Sequence, residues 1–236
     1  MLVPPITTVA LSACYSFDGD FTISGRPLKL SLERGAAALS HTGVTVWDAA
    51  IVFAKAVERQ PSLLGTQTAN RPIRVLELGA GTGAAGLSAA LLGDEAVLTD
   101  LPELAETTER NIALNAAALA EAGGSASFSA LDWAVGGLPD GPFDSIVAAD
   151  PVWRVEQASM FAGAVHRAVV AYGCPMLLIR SERTCVSEAS QALFAAFSEH
   201  GLVATAVDLL ELGPLDLPAN GLHFVQHGVV RLWIVR

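Results

Sequence analysis

"VLELGAGTGAAGLSAA", residues 75–90, decides the fold. A β-prone run, Val75 to Leu78, enters three glycines at alternate positions, and an alanine-rich run with helical character follows. Gly79, Gly81 and Gly83 let the backbone turn sharply and let a ligand approach with no Cβ in the way. The helix N-terminus behind them favours an anionic group. A strand, a glycine loop and a helix in that order form the context in which such a loop cradles a nucleotide-like cofactor.

Outward from this loop, strands alternate with helices. Strand-like runs fall at 73–78, 95–99, 126–131, 144–149, 175–180, 202–208 and 228–235, with helical stretches near 84–92, 103–120, 156–171 and 187–200. Alternation of this kind implies right-handed crossovers, a mostly parallel sheet and ligand binding at the carboxyl ends of the strands. The segment LGPLDLPANGLHF between the last two strands carries no helical pattern, so the final strand is expected to run antiparallel. The fold class expected is α/β: a Rossmann-like, seven-stranded, mostly parallel sheet with helices on both faces. Upstream, turn signals at Asp18-Gly19-Asp20 and Ser24-Gly25 predict one or two hairpins within 15–32, residues 46–59 a helix, and 61–72 a loop. Residues 1–60 are therefore expected to form a hairpin-and-helix extension packed on a core of residues 61–236.

Two cofactor classes compete for the loop. Gly81 to Gly86 spells GxGxxG, the spacing of nicotinamide and flavin sites, although a lone match is weak. S-adenosylmethionine (SAM) fits better. Glu77 stands two residues before the first glycine, where a carboxylate attracts an ammonium group and would repel a pyrophosphate. The first core strand also begins only at residue 73, whereas a dinucleotide domain more often starts with it. Asp100 ends the second strand, placed to accept from two ribose hydroxyls of either cofactor.

Two further strand ends carry candidate groups. In Leu131-Asp132-Trp133, Asp132 is placed to accept from an adenine amino group and Trp133 to pack on its ring; the plainer alternative is a turn aspartate beside a core tryptophan. In Asp150-Pro151-Val152-Trp153, the carboxylate would orient the N–H groups of a methyl acceptor, and the indole would wall the acceptor and hold a cation over its face. There the plainer alternative is a helix-capping aspartate.

Together, Glu-Leu-Gly-Ala-Gly-Thr-Gly (77–83), Thr99-Asp100, Leu131-Asp132-Trp133 and an Asp-x-x-aromatic after the fourth strand resemble the seven-β-strand, methyltransferase-like protein-lysine methyltransferases, whose fungal relatives are often labelled nicotinamide N-methyltransferase-like. TGVTVWDAAIVFAKAVE (42–58), Asn111 and Asn115, and SERT (181–184) extend the resemblance over roughly residues 40–200. It implies SAM as cofactor with S-adenosylhomocysteine as product, Trp47 as a contact of the SAM pocket, Arg183 beside the acceptor loop, and lysines on folded proteins such as chaperones, ATPases or elongation factors as targets. In the family the fourth-strand motif ends in tyrosine or phenylalanine; here it ends in Trp153 after Pro151. Asp-Pro-Val-Trp is also similar to the Asp-Pro-Pro-Tyr type motif of methyltransferases acting on nucleobase or glutamine-amide nitrogens. Two alternatives to lysine methylation therefore stand: a small-molecule or nucleobase/amide amino-N-methyltransferase, and a SAM-binding module without catalysis.

Composition narrows the partners. The chain has 236 residues, 52% of them hydrophobic, and a net charge of −10. No apolar run reaches the ~18–20 residues of a membrane span. The negative field disfavours phosphate backbones and favours a basic polypeptide or a cationic small molecule. Cys14, Cys174 and Cys185 have no paired spacing, which fits a reducing compartment and neither a disulfide framework nor a zinc site. The start MLVPPITTVALSAC mimics a lipoprotein signal but lacks a basic n-region and is broken by Pro4-Pro5, so a cytoplasmic or nuclear monomer is expected. His223 and His227 sit four apart in an expected loop, and no metal site is read from them; His41 is read as a capping or packing residue. The charges of 103–110 are read as a solvated helix face.

Overall fold

The computed structural model describes residues 21–31, 42–65, 71–182, 187–208, 212, 215 and 229–236. A hairpin of β1 (Thr22–Ile23) and β2 (Arg26–Pro27) opens it, followed by helix α1 (Asp48–Arg59). The core then alternates: β3 (Arg74–Leu78), α2 (Ala84–Leu91), β4 (Glu95–Asp100), α3 (Ala105–Ala122), β5 (Ser125–Ala130), β6 (Ser145–Ala149), α4 (Val155–Tyr172), β7 (Met176–Glu182), α5 (Ser187–Glu199), β8 (Ala204–Val207) and β9 (Val229–Val235). Seven strands form one sheet in the order β5-β4-β3-β6-β7-β9-β8. The first five are parallel; β9 slots between β7 and β8 and runs antiparallel to both.

Strand β3 shows how the sheet is covered. Val75 faces Phe53 and Val57 of α1 and Ala85 and Ala89 of α2. Its neighbours Leu76 and Leu78 face the other way, toward Phe161 and Val165 of α4 and Leu193 and Phe197 of α5. Period-two alternation in a strand covered on both faces gives the near-continuous apolar run that the sequence shows. Helix α3 joins α1 and α2 on their side through Leu119. Every residue of α1 from Asp48 to Val57 is buried, because one side lies on the sheet and the other carries the hairpin through Phe21, Ile23, Leu28 and Leu30.

The expected elements are present, with two revisions. Residues 61–64, read as loop, form a 3-10 turn begun by Pro61, whose fixed φ and missing N–H suit a first helical position. The start of the expected 103–120 helix is likewise a 3-10 turn, Pro102–Leu104, before α3 proper. Along 103–110, Glu103, Glu106, Glu109 and Arg110 are exposed and Glu106 bonds Arg110, so that stretch is the solvated face expected, with Thr107 and Thr108 turned inward. The Ser24-Gly25 turn closes the hairpin, both residues having positive φ (49° and 75°) as a two-residue hairpin favours. Asp18-Gly19-Asp20, His41, Arg183, Cys14, Cys185, His223 and His227 lie outside the described residues.

The hairpin is anchored by a buried cation. Lys55 of α1 donates to Thr22 O at 2.6 Å, pairs with Glu58 at 2.8 Å and lies 4.9 Å from the Phe21 ring centroid, while Glu58 accepts from Ser24 N. Replacing Lys55 by Met keeps the stem and removes the ammonium. Stability is expected to fall by about 1.5–3 kcal/mol, the range for a hydrogen bond to a charged group. A urea titration checks this, and limited proteolysis should find 21–31 newly accessible.

Candidate functional site

The glycine loop is docked on the end of β4 by its backbone. Gly79 N and Ala80 N both donate to Thr99 O at 2.9 Å. Gly79, Gly81 and Gly83 have φ of 76°, 54° and 81°, in the left-handed region where a side chain is disfavoured. Space is short as well: a Cβ on Gly81 would clash with Gly43 O at 2.7 Å, and one on Gly79 would crowd Trp133 Cζ2 at 3.0 Å. Asp100 braces the loop, its Oδ2 accepting from Gly81 N and its Oδ1 from Leu101 N, both at 2.8 Å. Burial pushes its carboxyl above the usual range, against the pull of those two N–H groups.

Glu77 lies wholly inside. Its Oε2 accepts from Gly86 N at 2.8 Å, so its visible duty is to cap the first turn of α2 from the end of β3. Burial pushes it up to about 8, opposed by the Gly86 N–H and reinforced by the charge of Asp100. Its anionic form is short of compensation.

The flanking walls come from three other segments. Trp47, half-buried, donates Nε1 to Thr42 O at 3.1 Å and so folds 42–47 into the arch that carries Gly43 onto Gly81. Asp132 accepts from Ala134 N at 2.8 Å in an Asx turn, and Trp133 meets Phe161 edge-on at 4.8 Å. Both therefore have the structural duties of the plainer reading, while Trp133 also walls Gly79 together with Pro151.

The β6 end is the strained part. Asp150 sits at φ 49°, a conformation that costs an L-residue about 1–2 kcal/mol and that aspartate tolerates better than most. The end of β7 holds it there: Asp150 N donates to Ile179 O at 2.9 Å, and Ser181 N donates to Asp150 Oδ1 at 2.8 Å. Asp150 does not cap the next helix. Helix α4 begins at Val155 with Arg154 as N-cap, and Gln157 Oε1 accepts from Trp153 N and Arg154 N. Trp153 is 36% exposed and carries the Arg154 guanidinium 4.0 Å from its ring centroid.

Arg180 is a residue that sequence reasoning passed over. It is buried in β7, and its Nη2 donates to Val152 O at 2.9 Å and to Ser190 Oγ at 3.0 Å, pinning the Asp150–Trp153 segment from beneath. The signal was available: an arginine that closes the apolar run Met176 to Ile179 in a strand covered on both sides. Gly43 was missed as well, because nothing local marks it as the partner of Gly81. Among the described residues no group of three or more His, Cys, Asp or Glu side chains is placed to hold a metal ion.

A Rossmann-like sheet with one reversed strand and a glycine loop at its carboxyl edge defines the class I methyltransferase architecture. The structure of the glycopeptide N-methyltransferase MtfA, complexed with SAM, has the same fold, with a TM-score of 0.52 at 13% identity over 83% of this chain and 98% of that one. Residues 28–199 match the family described as lysine methyltransferase, and the chain belongs to that family. It is 31% identical to the mouse (Mus musculus) EEF1A lysine methyltransferase 3 across 67% of this chain and 64% of the relative. It is 33% identical to the protein N-lysine methyltransferase METTL21A of Danio rerio across 62% of this chain and 63% of the relative. The chain thus spans a little under two thirds of the length of each.

The buried Glu77 has a consequence for stability. A carboxyl raised in the folded state stabilises the fold in its protonated form; that contribution is complete below its ordinary 4.5 and is lost as pH climbs to about 8. Glu77→Gln keeps an oxygen for Gly86 N and never ionises. The variant is expected to melt above the parent at about pH 8 and to show a flatter Tm profile from about pH 5 upward. Parallel profiles for the two proteins would show that Glu77 does not titrate in this window.

Proposed function

We propose that the protein is a SAM-dependent N-methyltransferase that methylates a lysine side chain on a folded protein. The observation that carries this reading is a convergence at one sheet edge, in a chain of the lysine methyltransferase family. There a fully buried carboxylate and three left-handed glycines stand beside a strained aspartate and a partly exposed tryptophan.

The residues fit SAM. The cradle has no room for a Cβ at Gly81 and little at Gly79, and Glu77 is an undercompensated buried acid whose natural complement is an α-ammonium group. Asp100 would take the ribose hydroxyls, Asp132 and Trp133 the adenine, and Trp47 the rim of the pocket. Bound SAM supplies a methyl on a cationic sulfonium, so the transfer is an in-line displacement that asks the protein for alignment and a neutral nucleophile.

Lysine in water has a pKa of about 10.4 and must first lose a proton. The face of Trp153 attracts its ammonium. The Arg154 charge stacked on the same indole disfavours a second cation beside it and so favours the neutral amine. Asp150, held rigid by β7, would orient the remaining N–H groups; Arg183, next along the chain, would steady the acceptor. Among the described residues Trp153 is 36% and Val155 48% exposed, which suits a protein acceptor better than an enclosed small molecule. The net charge of −10 suits a basic protein surface. Among chaperones, ATPases and elongation factors, an elongation-factor target comes first, because the mouse relative is named for EEF1A.

The test is methyl-labelled SAM with a whole-cell extract, split into protein, nucleic-acid and small-molecule fractions. Label is expected in one or a few protein bands that survive nuclease, with methyl-lysine on hydrolysis. Label confined to the other fractions would promote the small-molecule or nucleobase/amide reading. Absence of transfer with SAM bound would promote the non-catalytic module. In the same assay Asp150→Ala is expected to retain SAM affinity while transfer falls on the order of a hundredfold, the scale of lost alignment. Equal loss of both would assign Asp150 to the cofactor or the fold.

A further inference from the structure

We propose that Asn111 is a positioning residue of the glycine loop and that, through it, the N-terminal segment 29–31 is part of the cofactor site. This rests on reading that loop as the seat of SAM.

Asn111 is fully buried in α3, and both ends of its amide are used. Its Oδ1 accepts from Ser31 N at 2.7 Å, and its Nδ2 donates to Thr82 O at 2.9 Å. One side chain therefore links the N-terminal segment to the middle of the glycine loop. One turn later Asn115 repeats the reach, accepting from Lys29 N at 2.9 Å and donating to Lys29 O at 2.7 Å and to Asn111 O at 2.8 Å. The spacing is commensurate: four residues of helix rise about 6 Å and two residues of extended chain about 6.6 Å, so asparagines at i and i+4 meet alternate residues of a strand. Helix α3 thus offers the segment a substitute for a sheet edge.

Thr82 lies between two left-handed glycines, where the backbone has the most freedom to turn its peptide planes. Asn111 holds the Thr82 carbonyl, and Thr108, three residues earlier on the same face, has its Oγ1 2.7 Å from Gly81 O. With both carbonyls drawn onto α3, the loop is preorganised before any ligand arrives. When segment 29–31 leaves α3, Ser31 N is withdrawn from Asn111 and the amide loses the partner that orients it. Docking of the segment and binding at the loop are then coupled, and coupling of this kind is reciprocal: SAM must tighten the segment by the factor by which the segment tightens SAM.

SAM titration by calorimetry on the parent, Asn111→Leu and Asn115→Leu tests this, together with amide hydrogen exchange at Lys29 and Ser31 in the parent with and without SAM. Asn111→Leu is expected to weaken SAM about tenfold, the scale of one buried hydrogen bond. Asn115→Leu touches only the segment and its own helix, yet is expected to weaken SAM severalfold, and saturating SAM should slow exchange at both amides. Undiminished SAM affinity in both variants, or exchange indifferent to SAM, overturns the proposal. A general loss of stability would lower Tm without changing the affinity of folded protein, and the exchange experiment needs no variant. Failure of the parent to bind SAM at all would overturn the functional reading beneath it instead.

Discussion

At Gly43 and Gly81 two stretches of backbone approach with no room for a side chain between them, and the site hangs on that approach. A Cβ on Gly81 would stand 2.7 Å from Gly43 O and 3.1 Å from Gly43 Cα, so Gly81 can be nothing larger without moving Gly43, while a Cβ on Gly43 would run into Leu104 Cδ1. The contact brings the arch of 42–47 over the loop and with it Trp47. It also sets where α1 starts, and α1 carries the hairpin and, through the hairpin, the 29–31 segment that lies on α3. One steric constraint thus joins the N-terminal extension to the cofactor edge of the sheet.

Four of the charged groups in and beside the core follow a common rule. Lys55 holds Thr22 O, Asp100 holds Gly81 N and Leu101 N, Glu77 holds Gly86 N, and Arg180 holds Val152 O. Each charge is turned on a backbone group in a loop or at an element end, and each of those segments borders the site or the hairpin that covers it. A charge removed from water is expensive unless hydrogen-bonded, and a hydrogen bond to a fixed backbone group transmits rigidity to the segment that bears it. The acids at the glycine loop are the least compensated of this set, since burial raises both Glu77 and Asp100. That is the electrostatic setting in which a cationic ligand gains most.

Much of the molecule was readable in advance because its signals are local. Alternation in β3, the glycine spacing after it and the Ser24-Gly25 turn each act over a few residues of backbone. So do the acids Glu77, Asp100, Asp132 and Asp150, which fall at strand ends that periodicity locates. Arg180 was half-legible: an arginine inside an apolar strand is a signal, but its partner Val152 is 28 residues away in sequence. Asn111 and Asn115 were noticed for their place in a family pattern; what they hold, 80 and 86 residues upstream, is invisible to any local rule.

By itself the sequence determined the order of strands and helices, the reversed last strand, the glycine loop and the set of acids and aromatics at the carboxyl edge, because backbone preference and the periodicity of burial are written into neighbouring residues. Only the tertiary structure decided that Glu77 is a buried helix cap held near neutrality, that Asp150 is strained and pinned by β7, and that Gly43 and Asn111 bind the N-terminal segment to the cofactor loop. Those outcomes depend on which surfaces meet and how much water is left between them. Burial, steric exclusion and long-range hydrogen bonds come into being only when the chain has closed on itself.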